Sequence, residues 1–141
     1  MRTPPFFEPT SEPHGVDVVV MPVIDEGTVI DLIAWRSLAP DAWLWRNGDG
    51  WALGIDAIET PSHWNGHGSI TLHATPLDWL RAGGSGACIL SWNETSMIRK
   101  LANFDTINCA CRRAATKLYD ILSKPHRLPK IVRGQSNELA A

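Results

Sequence analysis

Arg112, Arg113, Lys117 and Lys124 are the residues of this chain whose type and spacing point most directly to chemistry. Steps of four and seven place Arg113, Lys117 and Lys124 together on one helix face, with Arg112 on a flank. Arg127, Lys130 and Arg133 continue the series into an extended tail, and Arg99 and Lys100 lie on the preceding helix. Cations arrayed in this way neutralise phosphates by releasing counterions, so the chemistry indicated is salt-dependent contact with DNA or RNA. Asp120 alone interrupts the face. The same residues also fit a solvated helix whose C-terminal charges suit its macrodipole, or a surface that pairs with the chain's own acidic part.

That acidic part is extensive. Residues 1–98 carry 4 Lys+Arg against 12 Asp+Glu, whereas residues 99–133 carry 9 against 2, and the whole 141-residue chain sums to −2. A near-neutral total therefore hides a basic C-terminal third, which is the asymmetry expected of a chain with an anionic partner.

Other residue sets are weaker. His63, His67 and His73 follow an H-x3-H-x5-H spacing near Asp56, Glu59 and Asp78, and imidazoles with carboxylates suit zinc or a non-haem metal. Asn65, Gly66 and Gly68 interrupt the set, however, and nothing puts two of the histidines on one rigid face, so no metal or cofactor is expected. Cys109 and Cys111 are too close for the usual zinc knuckle; with Cys88 they read as small core residues, although Cys111 near a helix start has the setting of an activated thiol. Gly83-Gly84-Ser85-Gly86 follows a helix and precedes a strand, the reverse of a phosphate loop, and reads as a connector. Asp25, Glu26 and Asp31 could hold a cation or exchange protons, as could any charged turn beside a strand. Without a nucleophile elbow, kinase loop or dinucleotide fingerprint, an enzyme is not the favoured reading.

Seven tryptophans, four of them between residues 35 and 51, serve mainly as core, with a surface for bases or a partner as the sharper alternative.

The elements that must position these residues follow from the pattern. Val16–Ile24 and Thr28–Trp35 are strands joined by Asp25-Glu26-Gly27 into an antiparallel hairpin. Ser37–Asp41 breaks the pattern, 42–46 is a short strand, and Asn47-Gly48-Asp49-Gly50 turns into Trp51–Leu53. Ile55–Glu59 is one helical turn and Thr60–Gly68 a loop. Ser69–Ala74 is a strand, and Thr75-Pro76-Leu77-Asp78 starts a helix with Thr as N-cap and Pro at N1. Ala87–Trp92 is a buried strand, Asn93 caps a helix to Asn103, Thr106–Cys109 is a brief strand, and Ala110–Lys124 is a helix stopped by Pro125. On that last helix Cys111, Ala114, Ala115, Leu118 and Leu122 should face the core, and Leu128–Val132 adds an edge strand.

Strands first and helix–strand alternation later predict an α+β fold: a mixed β-sheet with an N-terminal antiparallel hairpin and about three helices packed on it. A single domain over 15–133 is flanked by a Pro-rich disordered arm, 1–14, and a disordered tail, 134–141. The longest uncharged apolar run, Val18–Ile24, is too short to span a bilayer, no secretory signal opens the chain, and three cysteines suit a reducing compartment. The cytoplasm is the expected location.

The stretches VIDLIAWRSLAPDAWLWRNGDGWALG and LHATPLDWLRAGGSGACILSW resemble segments of small uncharacterised proteins of proteobacterial prophages. The likeness covers residues 17–132 and its motifs are structural, so it carries over no catalytic residue. It implies a phage accessory role in a bacterial cytoplasm. The function expected is a non-enzymatic accessory protein that contacts nucleic acid, or a nucleic-acid-bound partner, through the basic C-terminal helix. The alternatives are a protein–protein module or homodimer and, behind it, a metal-dependent enzyme using the histidine loop.

Overall fold

The structure, a computed structural model, describes residues 7, 17–60 and 68–124. Outside the described residues lie His63, His67, Trp64, Arg127, Lys130, Arg133, the strand expected over Leu128–Val132, the tail, and all of the N-terminal arm but Phe7. The fold is α+β.

β1 (Val18–Asp25) and β2 (Thr28–Arg36) pair antiparallel from Val18↔Arg36 to Asp25↔Thr28. Their turn residues, Glu26 and Gly27, have φ of 50° and 77°. Two positive φ values give a hairpin turn the twist its strands need, which is why a glycine follows the glutamate. β3 (Ala39–Trp45) adds to β2, so the hairpin becomes a three-stranded sheet in the order β1-β2-β3. Here the structure corrects the expected break at Ser37–Asp41: the turn is confined to Ser37-Leu38, and Pro40 lies inside β3. An edge strand tolerates the proline's missing N–H.

The second layer is mixed. β4 (Ala52–Leu53) pairs antiparallel with β6 (Cys88–Ile89), and β5 (Ser69–Leu72) pairs parallel with β7 (Thr106–Cys109). A parallel bridge, Leu72↔Ala87, joins the two pairs in the order β4-β6-β5-β7. At that junction the backbones nearly touch. A Cβ on Gly86 would strike the Thr71 carbonyl, and one on Gly54 would strike the Gly86 carbonyl. Both glycines also have positive φ, so close approach and backbone conformation demand the same residue.

α1 (Ile55–Glu59) follows β4, and α2 (Pro76–Arg81) begins as expected, with the Thr75 side chain accepting the Asp78 N–H at 3.1 Å. α3 (Thr95–Ile98) is shorter than the helix expected from Asn93. Its N-cap is Glu94, without a side-chain cap, and from Arg99 to Asn103 the chain tightens into a 3-10 turn. α4 (Arg112–Ser123) is the long helix; Lys124 leaves it extended, as the residue before a proline must. Ala114 and Leu118 are buried on α4, but Ala115, expected on the core face, is exposed.

Side chains from both layers and from α1, α3, the 3-10 turn and α4 form one core, with Val23, Ile33, Leu53, Ile55, Ile58, Leu72, Ile98 and Leu101 fully buried. Trp35 and Trp51 belong to it, as the core reading of the tryptophans anticipates. Asp31 is a buried exception at 2% exposure. Its carboxylate accepts backbone N–H groups of Leu32, Asn47 and Gly50 at 2.8 Å and of Gly48 at 2.9 Å. This concentration of charge-assisted bonds makes Asp31 the template on which the 47–50 loop folds, in place of the cation or proton-transfer role considered from the sequence.

Candidate functional site

The face of α4 meets the edge of the first sheet across an open cleft of about 440 Å³. One wall comes from β3. Alternation along a strand sends Trp43 and Trp45 to the same side, the side of buried Trp35 and Ile33, with which they pair across the ladder. Because β3 is an edge strand, these rings project past the core and remain partly accessible. Their polar edges are tied down: the Trp43 indole N–H donates to the Leu90 carbonyl at 3.2 Å, and that of Trp45 to the Gly50 carbonyl at 2.7 Å. Through Gly50 the Trp45 ring is held by the loop that Asp31 organises. Phe7 closes off one backbone acceptor on this edge, donating its N–H to the Trp45 carbonyl at 2.9 Å.

The floor and far wall come from the end of β6, the segment after it and the start of α4. Trp92 lies there, partly buried, with the Lys117 Nζ 5.7 Å from its ring centroid, a cation–π contact. Arg113, one turn before Lys117, lines the same cleft and is exposed. Among the described residues neither Arg113 nor Lys117 forms an ion pair. Asp41 on β3 brings one carboxylate to the lining.

The local electrostatics of α4 reinforce these cations. Its first turn holds no acidic residue, and its last turn no basic one. Arg112 and Arg113 therefore stand at the positive end of the helix dipole, an arrangement that costs stability unless an anion is present. The macrodipole reading, made for the C-terminal cations, does not extend to these two arginines. The N-cap is Cys111, whose Sγ accepts the Ala114 N–H at 3.5 Å. A thiol is a poor substitute for the oxygen of Ser, Thr, Asp or Asn.

The expected basic residues are thus divided. Arg113 and Lys117 come together at the cleft. Arg112, roughly 100° round the helix from Arg113, faces elsewhere. Lys124 pairs with Asp120 at 3.2 Å, both side chains 65% exposed, and such a surface pair contributes little stability. Arg99 donates to the Lys124 carbonyl at 3.0 Å, and Lys100 forms a 2.7 Å ion pair with Glu59. Pairing between the basic third and the acidic part is therefore realised at Lys100.

His73 lines the cleft with its Nε2 2.8 Å from the Ser85 carbonyl. Asp56 accepts the Glu26 N–H and Glu59 holds Lys100, so two of the three carboxylates near the histidine series have partners elsewhere. Among the described residues no group of three His, Cys, Asp or Glu side chains could hold a metal ion. Cys88 is buried, its thiol pushed up to about 12 by burial and then by Asp78. Burial, followed by the neighbouring Cys111, also raises Cys109; Cys109 and Cys111 are only partly buried, so the reading of all three cysteines as core holds fully for Cys88 alone.

Trp43, Trp45 and Trp92 are the tryptophans that line the cleft; the sequence offers an aromatic surface as the alternative to a core role without saying which of the seven form it. The Trp43–Trp45 spacing of two on an edge strand is the signal for the first pair; Trp92 has none, because only tertiary packing brings it under Lys117. No family model, curated protein or solved structure matches this chain. Among the described residues no helix is long and apolar enough to cross a membrane.

Proposed function

We propose that this chain is a non-enzymatic, phage-type accessory protein that contacts nucleic acid through the first half of α4. The observation that carries the reading is the placement of Arg113 and Lys117. They are cations without ion-pair partners among the described residues, on a helix whose first turn holds no acidic residue. Phosphate is the anion that satisfies both the side chains and the dipole. Lys124 and the more distal cations widen the footprint and do not define it.

The test is a salt titration of binding to labelled DNA, with the R113E/K117E double variant alongside. The logarithm of the affinity should fall linearly with log salt, and the double variant should bind far more weakly, with a salt slope smaller by roughly 2. Binding that ignores salt, or survives the double reversal, removes the proposal.

A second reading, self-association, is favoured by a different surface. Val18, Val20 and Ile24 lie on one side of β1, with Val29 of β2 opposite Ile24, and their exposures are 47%, 49%, 44% and 55%. A solvated sheet face ordinarily carries polar residues, and a contiguous aliphatic strip is the mark of a covered surface.

A further inference from the structure

We infer that the cleft beside α4 takes unpaired bases, so that the nucleic acid this chain prefers is single-stranded. This rests on the phosphate-contacting reading of α4 and adds to it a choice of substrate form. Three features of the cleft carry it. Its walls are aromatic on both sides, with Trp43 and Trp45 from β3 and Trp92 from the segment after β6. The indole N–H groups of Trp43 and Trp45 are already bonded to backbone carbonyls, so those rings are held in place with part of their surface accessible. Arg113 and Lys117 stand on the same lining, one helical turn apart, where a backbone threading past a stacked base would place its phosphates.

A duplex cannot use such a cleft, because its base faces are consumed in its own stack and only phosphates and groove edges are presented. An unpaired base offers its π-face to indole, and such stacking is sequence-tolerant. Lys117 lies over one face of Trp92, its Nζ 5.7 Å from the ring centroid, so the cation and the aromatic surface of the cleft are adjacent. Asp41 opposes a phosphate nearby and favours the uncharged base on the β3 side.

Phosphate contact alone predicts the opposite order of affinities, since a duplex carries one charge per about 1.7 Å and attracts cations more strongly than a single strand. The experiment compares the 141-residue chain binding labelled oligodeoxythymidylate and a duplex of equal length, at one salt concentration, while following tryptophan emission. The single strand should bind roughly tenfold or more tightly and quench the emission. W92L should lose roughly tenfold in single-strand affinity and little for the duplex, while W92F keeps most of it. Should W92L fail to fold, the order of affinities and the quenching on the unaltered chain decide alone. A duplex bound as well as or better than the single strand overturns this inference and leaves the phosphate reading standing. If neither binds at low salt, both readings fall.

Discussion

Asp25 shows how single residues of this chain respond to pH. It ends β1 beside Glu26, Asp56 and Glu59, and its Oδ1 is buried without a hydrogen-bond partner among the described residues. Burial first, then the charges of Glu59, Glu26 and Asp56, raise its pKa above the ordinary 3.8, with Lys100 pulling the other way. The folded state therefore holds this proton more tightly than the unfolded chain. Its contribution to stability is complete below the unfolded value and is lost as pH rises through the folded one, so at neutral pH the ionised carboxylate is a burden. D25N should unfold at a higher temperature than the unaltered chain at pH about 7, and the difference should vanish near pH 3. Thermal melts across that range check it; an equal advantage at both ends contradicts the assignment.

At the scale of the element, α4 combines a strong reason to fold with a weak start. Ala114 and Leu118 bury its inner face, while two arginines and a thiol N-cap occupy the end where acids and hydroxyls belong. Such a conflict between local preference and residue choice is expected where a helix end serves a ligand, the role proposed for α4. Arg112 separates stability from ligand contact, because it shares the helix end but not the cleft. R112E should raise stability by about 0.3–1 kcal/mol, read from chemical denaturation, while weakening DNA binding far less than R113E/K117E. Destabilisation by R112E would mean that its side chain makes a packing contribution larger than the dipole effect.

At the scale of the whole molecule, the two layers present unlike surfaces. The cleft and its cations lie where β3, the segment after β6 and α4 converge, whereas the aliphatic strip lies on β1 and β2, facing away from the core. Function as a self-associating unit would use the strip and leave the cleft open. Light scattering over rising protein concentration should show a mass increasing from monomer to dimer, and V20K should hold the monomer. A constant monomeric mass would remove self-association through the strip.

Local chemistry was legible in the sequence and long-range placement was not. The Glu26-Gly27 turn, the α1 boundaries, the Thr75 cap with Pro76, β7 and the end of α4 before Pro125 follow from residues a few positions apart, whose preferences act within one turn. The extent of β3 escaped, because whether Pro40 ends a strand depends on which edge of a sheet it occupies. Asp31 was legible as a carboxylate but not as the anchor of the 47–50 loop, and the cations of α4 were visible without their division into cleft, flank and paired. Sequence by itself determined the charge asymmetry, the helix that carries it and the α+β class, since these depend on composition and periodicity. Tertiary structure alone decided that Trp43, Trp45 and Trp92 share a cleft with Arg113 and Lys117, because contact across 70 residues depends on how sheets and helices pack, which no local preference encodes.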